Sequence, residues 1–384
     1  MERTSDVVIV GGGVTGCAIA YFLRDRQVSV TVLERGEIGG QASSAAAGLL
    51  APLGPLSGPG PFADLLLSGF TALRRLIPEL EEESGLRLGY EQCGALRTVS
   101  NPKRVVHLRQ RLDRWQSLGL QLYWLSGEEA RRREPLLAGE VCGAVYAPEE
   151  SQIEASHVVQ AFARAARRRG ARIYPHQEVS GLLTHTAKVI GAVTTQGETV
   201  SCEQLIIASG AWAAQCAAWL TIRMPISPLH GQLLALSRPA LPLRHLAFGE
   251  AIYLAPRGDK ILVGATREER GFDTMTTQEG TSWLLSRATR LAPALHESRI
   301  EARWAGLRPK TPDSRPILGA VPAWENVLVA AGHNSVGIIL SAITGQCIAE
   351  MATTGRAPAI IQPFSIERFN GQDEGTGRPV TWSQ

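Results

Sequence analysis

The stretch VVIVGGGVTG, residues 7–16, decides how the first part of this 384-residue chain folds. It begins with four apolar, β-branched residues, which is typical of a buried parallel strand. The next six residues carry glycines in the spacing G-x-G-x-x-G, and residues 17–26 then read as a helix. A second apolar run, residues 28–33, ends at Glu34. We therefore predict a βαβ unit at the start of the chain.

The glycine spacing also predicts a ligand. Gly11 permits a tight turn, Gly13 lets a pyrophosphate approach the backbone, and Gly16 lets the helix pack on the strand. The N-terminus of the helix then faces the negative charge. Glu34 follows about 20 residues later, where a carboxylate can accept hydrogen bonds from ribose hydroxyls. The sequence therefore predicts a bound adenine dinucleotide, and this motif alone does not separate NAD from FAD.

Composition limits the alternatives. The chain is 44% hydrophobic and 20% charged, as expected for a globular protein of about two domains. A net charge of +3 does not suggest a nucleic-acid or anionic-membrane surface. No run approaches the roughly 18 apolar residues of a membrane span, and the N-terminus lacks the apolar core of a signal peptide. The six cysteines show no metal-binding spacing, so we expect no metal and reduced thiols in a cytoplasmic protein.

Later segments repeat the strand-then-glycine pattern. Ser156 is a candidate N-cap for a helix that ends at Gly170, and a strand follows it. Residues 205–210 and 327–332 are apolar runs that each end in a glycine turn, and a helix starts near residue 337. Each turn alone would be an ordinary β–α connection. Together with the first motif they indicate one extended cofactor, and the late helix N-terminus can face a flavin ring edge, which favours FAD.

Other segments predict the remaining architecture. Residues 62–84, 101–119 and 281–292 have helical patterns, and residues 228–266 alternate like antiparallel strands. Residues 36–61 are rich in Gly, Pro, Ser and Ala. The proline-rich part of this segment, from residue 52, is either a lid over a site or an inert surface loop.

Five short strings resemble the D-amino acid oxidase superfamily of flavoproteins. They lie at residues 11–16, 34–35, 44–48, 304–309 and 331–333. The likeness runs in order from about residue 5 to residue 369, and it is strongest to the glycine oxidase family, whose enzymes serve thiamine biosynthesis.

The cofactor segments recur along the whole chain, so the predicted fold has two interleaved parts. We expect an α/β plus α+β protein in which a Rossmann-like FAD-binding domain is interrupted by an antiparallel-sheet substrate domain. The FAD domain would comprise residues 1–85, 150–222 and 300–369, and the substrate domain residues 86–149 and 223–299. Residues 370–384 are polar and would form a flexible tail.

The resemblance implies FAD bound without a covalent bond, because no cysteine lies between Cys216 and Cys347, where related enzymes attach flavin. The cofactor contacts predicted from the glycine turns and the resemblance are Gly11, Gly13, Val14, Thr15, Gly16, Glu34, Arg35, Ala42, Ser43, Ser44, Ala47, Gly48, Leu49, Val179, Ser209, Gly210, Trp212, Gly332, His333, Asn334, Ser335, Val336, Gly337, Ile338 and Ile339.

Two further positions match substrate contacts of the family. Arg308 matches the arginine that binds the substrate carboxylate, and Tyr253 matches a tyrosine whose hydroxyl helps to hold it. A guanidinium fork suits a carboxylate, although Arg308 alone could equally form a structural ion pair and Tyr253 could be a core residue. The resemblance implies hydride transfer from a small amine or amino acid to the flavin. The products would be a 2-oxo acid and ammonia, and oxygen would accept the electrons to give hydrogen peroxide.

The sequence departs from the family at three positions near the substrate. Ser335 replaces an arginine, Ala251 replaces a histidine, and Arg267 replaces a methionine. Arg267 either restores the missing charge or is solvated. The substrate therefore stays open among glycine, sarcosine and small D-amino acids, as does a homo-oligomeric state. Two other functions also stay open: a dehydrogenase that passes electrons to a quinone or partner protein, and a flavin-binding subunit without amine turnover.

Overall fold

The computed structural model describes residues 3–370. The predicted flexible tail, apart from Asn370, lies outside these residues. In chain order the strands of the described part are β1 (Thr4–Val10), β2 (Val30–Leu33), β3 (Leu49–Leu50), β4 (Ala95–Val99), β5 (Tyr123–Ser126), β6 (Gly143–Ala147), β7 (Ser151–Gln152), β8 (Arg172–Tyr174), β9 (Val179–His185), β10 (Lys188–Thr194), β11 (Thr199–Ile207), β12 (Ser227–Ser237), β13 (Leu246–Phe248), β14 (Tyr253–Arg257), β15 (Lys260–Gly264), β16 (Ile300–Lys310), β17 (Ile317–Ala320) and β18 (Val327–Ala331).

The α-helices of the same residues are α1 (Val14–Arg24), α2 (Ala42–Ala45), α3 (Pro61–Ser84), α4 (Val105–Gln116), α5 (Gly127–Arg133), α6 (Ala155–Arg168), α7 (Ala213–Ala218), α8 (Gln278–Leu291) and α9 (Gly337–Thr354). Short 3₁₀ turns cover Pro102–Arg104, Gly210–Trp212, Pro293–Glu297, Ala359–Phe364 and Ile366–Phe369. The predicted helices are confirmed. The predicted cap is wrong, because α6 begins at Ala155 after Glu154 and Ser156 lies inside its first turn.

The first sheet has the order β17-β18-β11-β1-β2-β8, and its five neighbouring strands from β18 to β8 are parallel. The hairpin β9–β10 extends it antiparallel from β11. Helices α1, α3, α6 and α9 pack together over this sheet. Ala213 and Ala217 of α7 pack on the other face, so the paired segments 7–10 and 205–207 are apolar, and Ile9, between Ile206 and Val32, is fully buried. The predicted βαβ unit is confirmed as β1, α1 and β2.

The second sheet has the order β16-β12-β15-β14-β13-β4-β6-β5 and is antiparallel except where β13 meets β4. Its strands β12 to β15 confirm the alternation predicted for residues 228–266. Strand β16 pairs with β12 along nearly its whole length, from Lys310 opposite Ser227 to Ile300 opposite Leu236. A division between the two parts after residue 310 therefore fits the sheets better than the predicted one at residue 300.

The proline-rich segment is not an inert surface loop, so that alternative is wrong. Leu53 and Leu56 are buried. The indole N–H of Trp115 donates to the Leu56 carbonyl at 3.0 Å, and the Leu53 N–H donates to a Glu150 carboxylate oxygen at 3.0 Å. These contacts fix residues 53–56 in the protein interior, whereas Ser57, Pro59 and Pro61 are exposed. Among the described helices, none combines the length and apolarity needed to cross a bilayer.

Candidate functional site

A cavity of about 2030 Å³ is lined by residues from both sheets. Sites for drug-sized ligands usually measure about 300–1,000 Å³, so this cavity has room for an extended molecule and a smaller one beside it. Its walls include the ends of β1, β2 and β18, the N-termini of α1 and α9, the α2 segment, and β12, β14 and β16.

The glycine turn after β1 forms one wall and has the predicted geometry. Gly11 has φ +112°, and a Cβ there would lie 2.6 Å from the carbonyl oxygen of Ala208. A Cβ on Gly16 would overlap the Gly11 carbonyl, so this glycine allows α1 to pack closely on the turn. At the start of α1 the Val14 N–H points at the cavity wall and donates to Ser43 Oγ at 2.9 Å. The turn therefore leaves backbone donors and a helix N-terminus facing the cavity, as an anion requires.

Glu34 holds this turn from the end of β2. One carboxylate oxygen accepts from the Gly12 N–H at 2.7 Å, and the other accepts from the Gly36 N–H at 2.9 Å. The side chain is buried but lines the cavity. Each carboxylate oxygen has a second lone pair, so Glu34 can still accept hydrogen bonds from a ribose.

An aromatic stack lies beside Glu34. The guanidinium of Arg35 lies 3.7 Å from the ring centre of Trp212, and the ring of Phe272 stacks on Trp212 at 5.2 Å. Phe272 comes from the loop after β15, so the second sheet closes over the first one here. Sequence reasoning found Arg35 and Trp212 and missed Phe272, which carries no motif.

The α2 segment is fixed against β16. The indole N–H of Trp304 donates to the Ala45 carbonyl at 3.0 Å. A Cβ on Gly306 would lie 2.6 Å from the Ala45 methyl group, so only glycine permits this contact. Two of the five strings that carry the family resemblance, residues 44–48 and 304–309, are therefore packed against each other.

The end of the same segment is also held closely. Arg257 donates to the carbonyls of Ala47, at 2.7 Å, and Ile153, at 2.9 Å. Gly48 has φ +73°, and a Cβ there would overlap the Ile153 carbonyl. This packing sets the course of the chain where Ala47, Gly48 and Leu49 face the cavity.

Arg308 projects from β16 into the cavity and lies over Gly231 of β12. A Cβ on Gly231 would overlap the Arg308 guanidinium. Its Nη1 donates to the Thr266 carbonyl at 3.1 Å, and no carboxylate of the described residues pairs with it. Burial lowers the pKa of Arg308, but from an ordinary value of 12.5, so the group stays charged. Arg308 is half-buried, so its charge has lost part of its contact with water without gaining a counter-ion, and an anionic ligand would compensate that loss.

Tyr253 lies beside this cation on β14. Its hydroxyl is packed against Gly264, where an added Cβ would overlap it, and it has no hydrogen-bond partner among residues 3–370. Burial raises the pKa of Tyr253 to about 12, so the hydroxyl is neutral and can donate. The sequence analysis did not identify Gly231 or Gly264, although a glycine inside a strand is a known sign that another group approaches the backbone closely.

The cavity brings most predicted site residues together, and three lie behind its wall. Gly16 supports the turn, the Ser44 N–H donates to the Gly39 carbonyl at 3.1 Å, and a Cβ on Gly332 would lie 2.6 Å from the Thr311 methyl group. The predicted residues that line the cavity are Gly11, Gly13, Val14, Thr15, Glu34, Arg35, Ala42, Ser43, Ala47, Gly48, Leu49, Val179, Ser209, Gly210, Trp212, Tyr253, Arg308, His333, Asn334, Ser335, Val336, Gly337, Ile338 and Ile339.

Helix α9 points its N-terminus at the cavity and begins at Gly337, four residues after His333. The ring of this histidine is buried and its Nε2 lies 3.2 Å from Thr344 Oγ1. Burial lowers the pKa of His333 to about 4, so the ring is neutral at pH 7. The positive charge at this end of the cavity therefore comes from the helix dipole and not from the histidine.

A row of basic residues from α4 and the turn before it also lines the cavity. Lys103, His107, Arg111 and Arg114 follow at three- to four-residue spacing on α4 and the turn before it, which places them on one helix face. Arg111 lies over the Trp115 ring at 4.6 Å. Sequence reasoning did not identify this row. Within the described residues, no group of His, Cys, Asp or Glu side chains is arranged to hold a metal.

A family model described as FAD dependent oxidoreductase, DAO, matches residues 6–351. The curated glycine oxidase of Geobacillus kaustophilus is 34% identical over 375 residues, which cover 97% of this chain and 99% of that protein. The bifunctional protein ThiO/ThiG of a Synechocystis species is 34% identical over 377 residues; these cover 96% of this chain but 55% of that protein.

Structural comparison agrees with the sequence comparisons. The crystal structure of glycine oxidase from Geobacillus kaustophilus superposes on this chain with a TM-score of 0.91 at 33% identity. The superposition covers 96% of this chain and 99% of that one. The likeness therefore includes both sheets and the cavity between them.

Proposed function

The chain belongs to the DAO family of FAD-dependent oxidoreductases, and from that premise we propose that it oxidises glycine or another small amine or amino acid, such as sarcosine or a small D-amino acid. The observation that carries the proposal is the unpaired, charged guanidinium of Arg308 beside the neutral hydroxyl of Tyr253 on the cavity wall. These two groups suit the carboxylate of an amino acid.

The residues present fit FAD as a non-covalent cofactor. Gly11 and Gly13 leave room for a pyrophosphate at the N-terminus of α1, and Glu34 keeps free lone pairs for a ribose. Residues 333–339 line the cavity, so the N-terminus of α9 would meet the pyrimidine edge of a bound flavin. Bound FAD would supply the two-electron oxidation of the amine.

The chain itself would bind and orient the substrate. Arg308 would hold the carboxylate with two parallel hydrogen bonds, and Tyr253 would donate a third. No side chain needs to act as a base if the amine binds in its neutral form. In balance, a primary amino acid, oxygen and water give a 2-oxo acid, ammonia and hydrogen peroxide, whereas sarcosine would give methylamine in place of ammonia. Similarity to the ThiO/ThiG protein supports a role in thiamine biosynthesis.

An anaerobic reduction screen tests this proposal. Purified holoenzyme would be mixed with glycine, sarcosine, proline and D-alanine while the flavin absorption is followed. At least one substrate should bleach the flavin, and admission of air should restore it with release of hydrogen peroxide. Glycine and D-alanine would also release ammonia, whereas sarcosine would release methylamine. Bleaching without rapid recovery in air would contradict the oxidase and favour a dehydrogenase. Absence of bleaching with every amine would contradict amine turnover altogether.

A matched pair of variants on β16 tests the carboxylate contact. Arg308→Ala should slow reduction by the amine at least about 100-fold, because charged hydrogen bonds are lost, while dithionite still reduces the flavin. Arg303→Ala changes an exposed arginine on the same strand and should leave the rate unchanged. Equal rates in the two variants would contradict the role of Arg308.

A further inference from the structure

A second guanidinium faces the same part of the cavity. Arg267 follows β15 by three residues, and its side chain lines the cavity together with that of Arg308. The two are linked through one neighbour, because the carbonyl of Thr266 accepts the hydrogen bond from Arg308 Nη1. Arg267 is exposed to solvent, as one of the two alternatives predicted, and it also borders the part of the cavity that contains Arg308.

The backbone on both sides of Arg267 is anchored to β12. Thr266 Oγ1 accepts from the Gln232 N–H at 2.9 Å. Glu268 and His230 exchange two backbone hydrogen bonds of 2.9 and 3.0 Å. Arg267 therefore extends from a fixed point, which a binding residue needs if it is to discriminate between ligands.

Arg267 has no counter-ion among residues 3–370. Glu268 is the adjacent acid, but its carboxylate oxygens lie 3.2 Å from Gln232 Nε2 and 3.7 Å from Arg270. Glu279 also lines the cavity and forms no ion pair with Arg267. The charge of Arg267 is therefore left for a ligand.

Two like charges side by side in one cavity repel each other. The charge on Arg267 is one of the causes that lower the pKa of Arg308. The pyrophosphate of FAD does not neutralise this pair, because its place is at the glycine turn of the first sheet, whereas both arginines extend from the second. A substrate with two acid groups would neutralise both.

We propose that Arg267 binds a second carboxylate of the amine substrate, so that the preferred substrates are small dicarboxylic amines. Arg308 holds one carboxylate and Arg267 the other. This inference rests on the proposed amine oxidation. With iminodiacetate, a C–H bond next to nitrogen breaks, its hydride passes to FAD, the N–H proton goes to solvent, and water adds to the imine. The products are glycine, glyoxylate and reduced FAD, which oxygen reoxidises to give hydrogen peroxide.

Two pairs of substrates that differ by one carboxylate test the inference. Iminodiacetate is compared with sarcosine, and D-aspartate with D-alanine. In at least one pair, kcat/KM should be about tenfold or more higher for the dicarboxylic member, as a charged hydrogen bond predicts. Ratios near one in both pairs would overturn the inference while leaving amine oxidation intact.

Variants of the loop identify the residue responsible. Arg267→Met should lower the dicarboxylic-to-monocarboxylic ratio about 10- to 100-fold, and Arg267→Lys should retain part of it. Arg270→Met is the matched control, because Arg270 lies in the same loop, pairs with Asp273 and does not line the cavity. An unchanged ratio in Arg267→Met would overturn the inference.

A binding measurement decides the matter even if no amine is oxidised. Succinate and acetate would be titrated into the holoenzyme and their Kd read from the shift of the flavin absorption spectrum. Arg267→Met should weaken succinate at least about tenfold more than acetate. Equal weakening of the two acids, or none, would overturn the two-anion site.

Discussion

At the scale of single residues, the substrate end of the site depends on glycines as much as on charged groups. Gly231 leaves the space that the Arg308 guanidinium fills, and Gly264 does the same for the Tyr253 hydroxyl. Neither glycine contacts a ligand through a side chain. Both act by letting a neighbouring strand's side chain lie flat across their own strand.

Replacement of Gly231 tests this role. In Gly231→Ala the new methyl group would overlap the Arg308 guanidinium and displace it, so we expect KM for the amine to rise about tenfold or more. FAD content should not change, because Gly231 is not among the proposed cofactor contacts. Gly181→Ala, on β9 with open space around it, is the control and should have the KM of the unaltered protein. A normal KM in Gly231→Ala would contradict the packing argument.

His333 gives a prediction for stability against pH. Its pKa is about 4 in the folded chain, against an ordinary 6.5, because it is buried. Between these values the unfolded chain binds a proton that the folded chain does not, so stability falls as the pH drops from 6.5 towards 4. From pH 7 to pH 5 the loss from this group should be about 2 kcal/mol.

Denaturant unfolding of the holoenzyme at pH 7 and pH 5 measures this loss. His333→Gln removes the titrating group, so the difference between the two pH values should shrink by about 2 kcal/mol. His296→Gln alters an exposed histidine and should keep the full difference. An equal pH dependence in all three proteins would show that His333 is not the group that titrates.

At the scale of secondary-structure elements, local patterns were predictable and distant pairings were not. The βαβ unit follows from residues 7–34, where each signal lies next to the residue it affects. The pairing of β16 with β12 joins segments about 70 residues apart, and nothing in Trp304 or Gly306 specifies that partner. The Arg35, Trp212 and Phe272 stack depends on the same kind of distant packing, so only its motif-bearing members were found.

Helix α4 supplies an element-scale prediction. Its cavity-facing row of basic residues should attract anionic substrates at low ionic strength. In a Lys103→Gln, Arg114→Gln double variant, kcat/KM at low salt should fall by up to about tenfold, with kcat nearly constant. The decrease of kcat/KM with added salt should also become less steep.

The opposite side of the same helix provides the control for this experiment. Arg109 stacks on Trp124 at 4.2 Å and does not line the cavity. Arg109→Gln should therefore keep the salt dependence of the unaltered protein. If both variants show the same salt dependence, the row on α4 does not steer the substrate.

At the scale of the whole molecule, one cavity is built from both sheets, so a ligand that fills it joins them. The α2 segment and the α9 N-terminus lie against the cavity with the first sheet, and Trp304 and Arg308 extend to it from the second. We therefore expect bound FAD to complete the interior of the protein. Cofactor release and unfolding should be coupled events.

The coupling predicts that FAD stabilises the fold by mass action. At a free FAD concentration 100 times Kd, the unfolding free energy should rise by about 2.7 kcal/mol, and the melting temperature should keep rising as FAD is added. Glu34→Ala leaves the N–H groups of Gly12 and Gly36 without their acceptor and would remove the proposed contact to the ribose, so more FAD should be needed for the same shift. Glu297→Ala, at an exposed turn, is the control.

Flavin fluorescence reports release and tryptophan fluorescence reports unfolding, and the two transitions should coincide. A melting temperature independent of FAD would mean that the cavity is not completed by the cofactor.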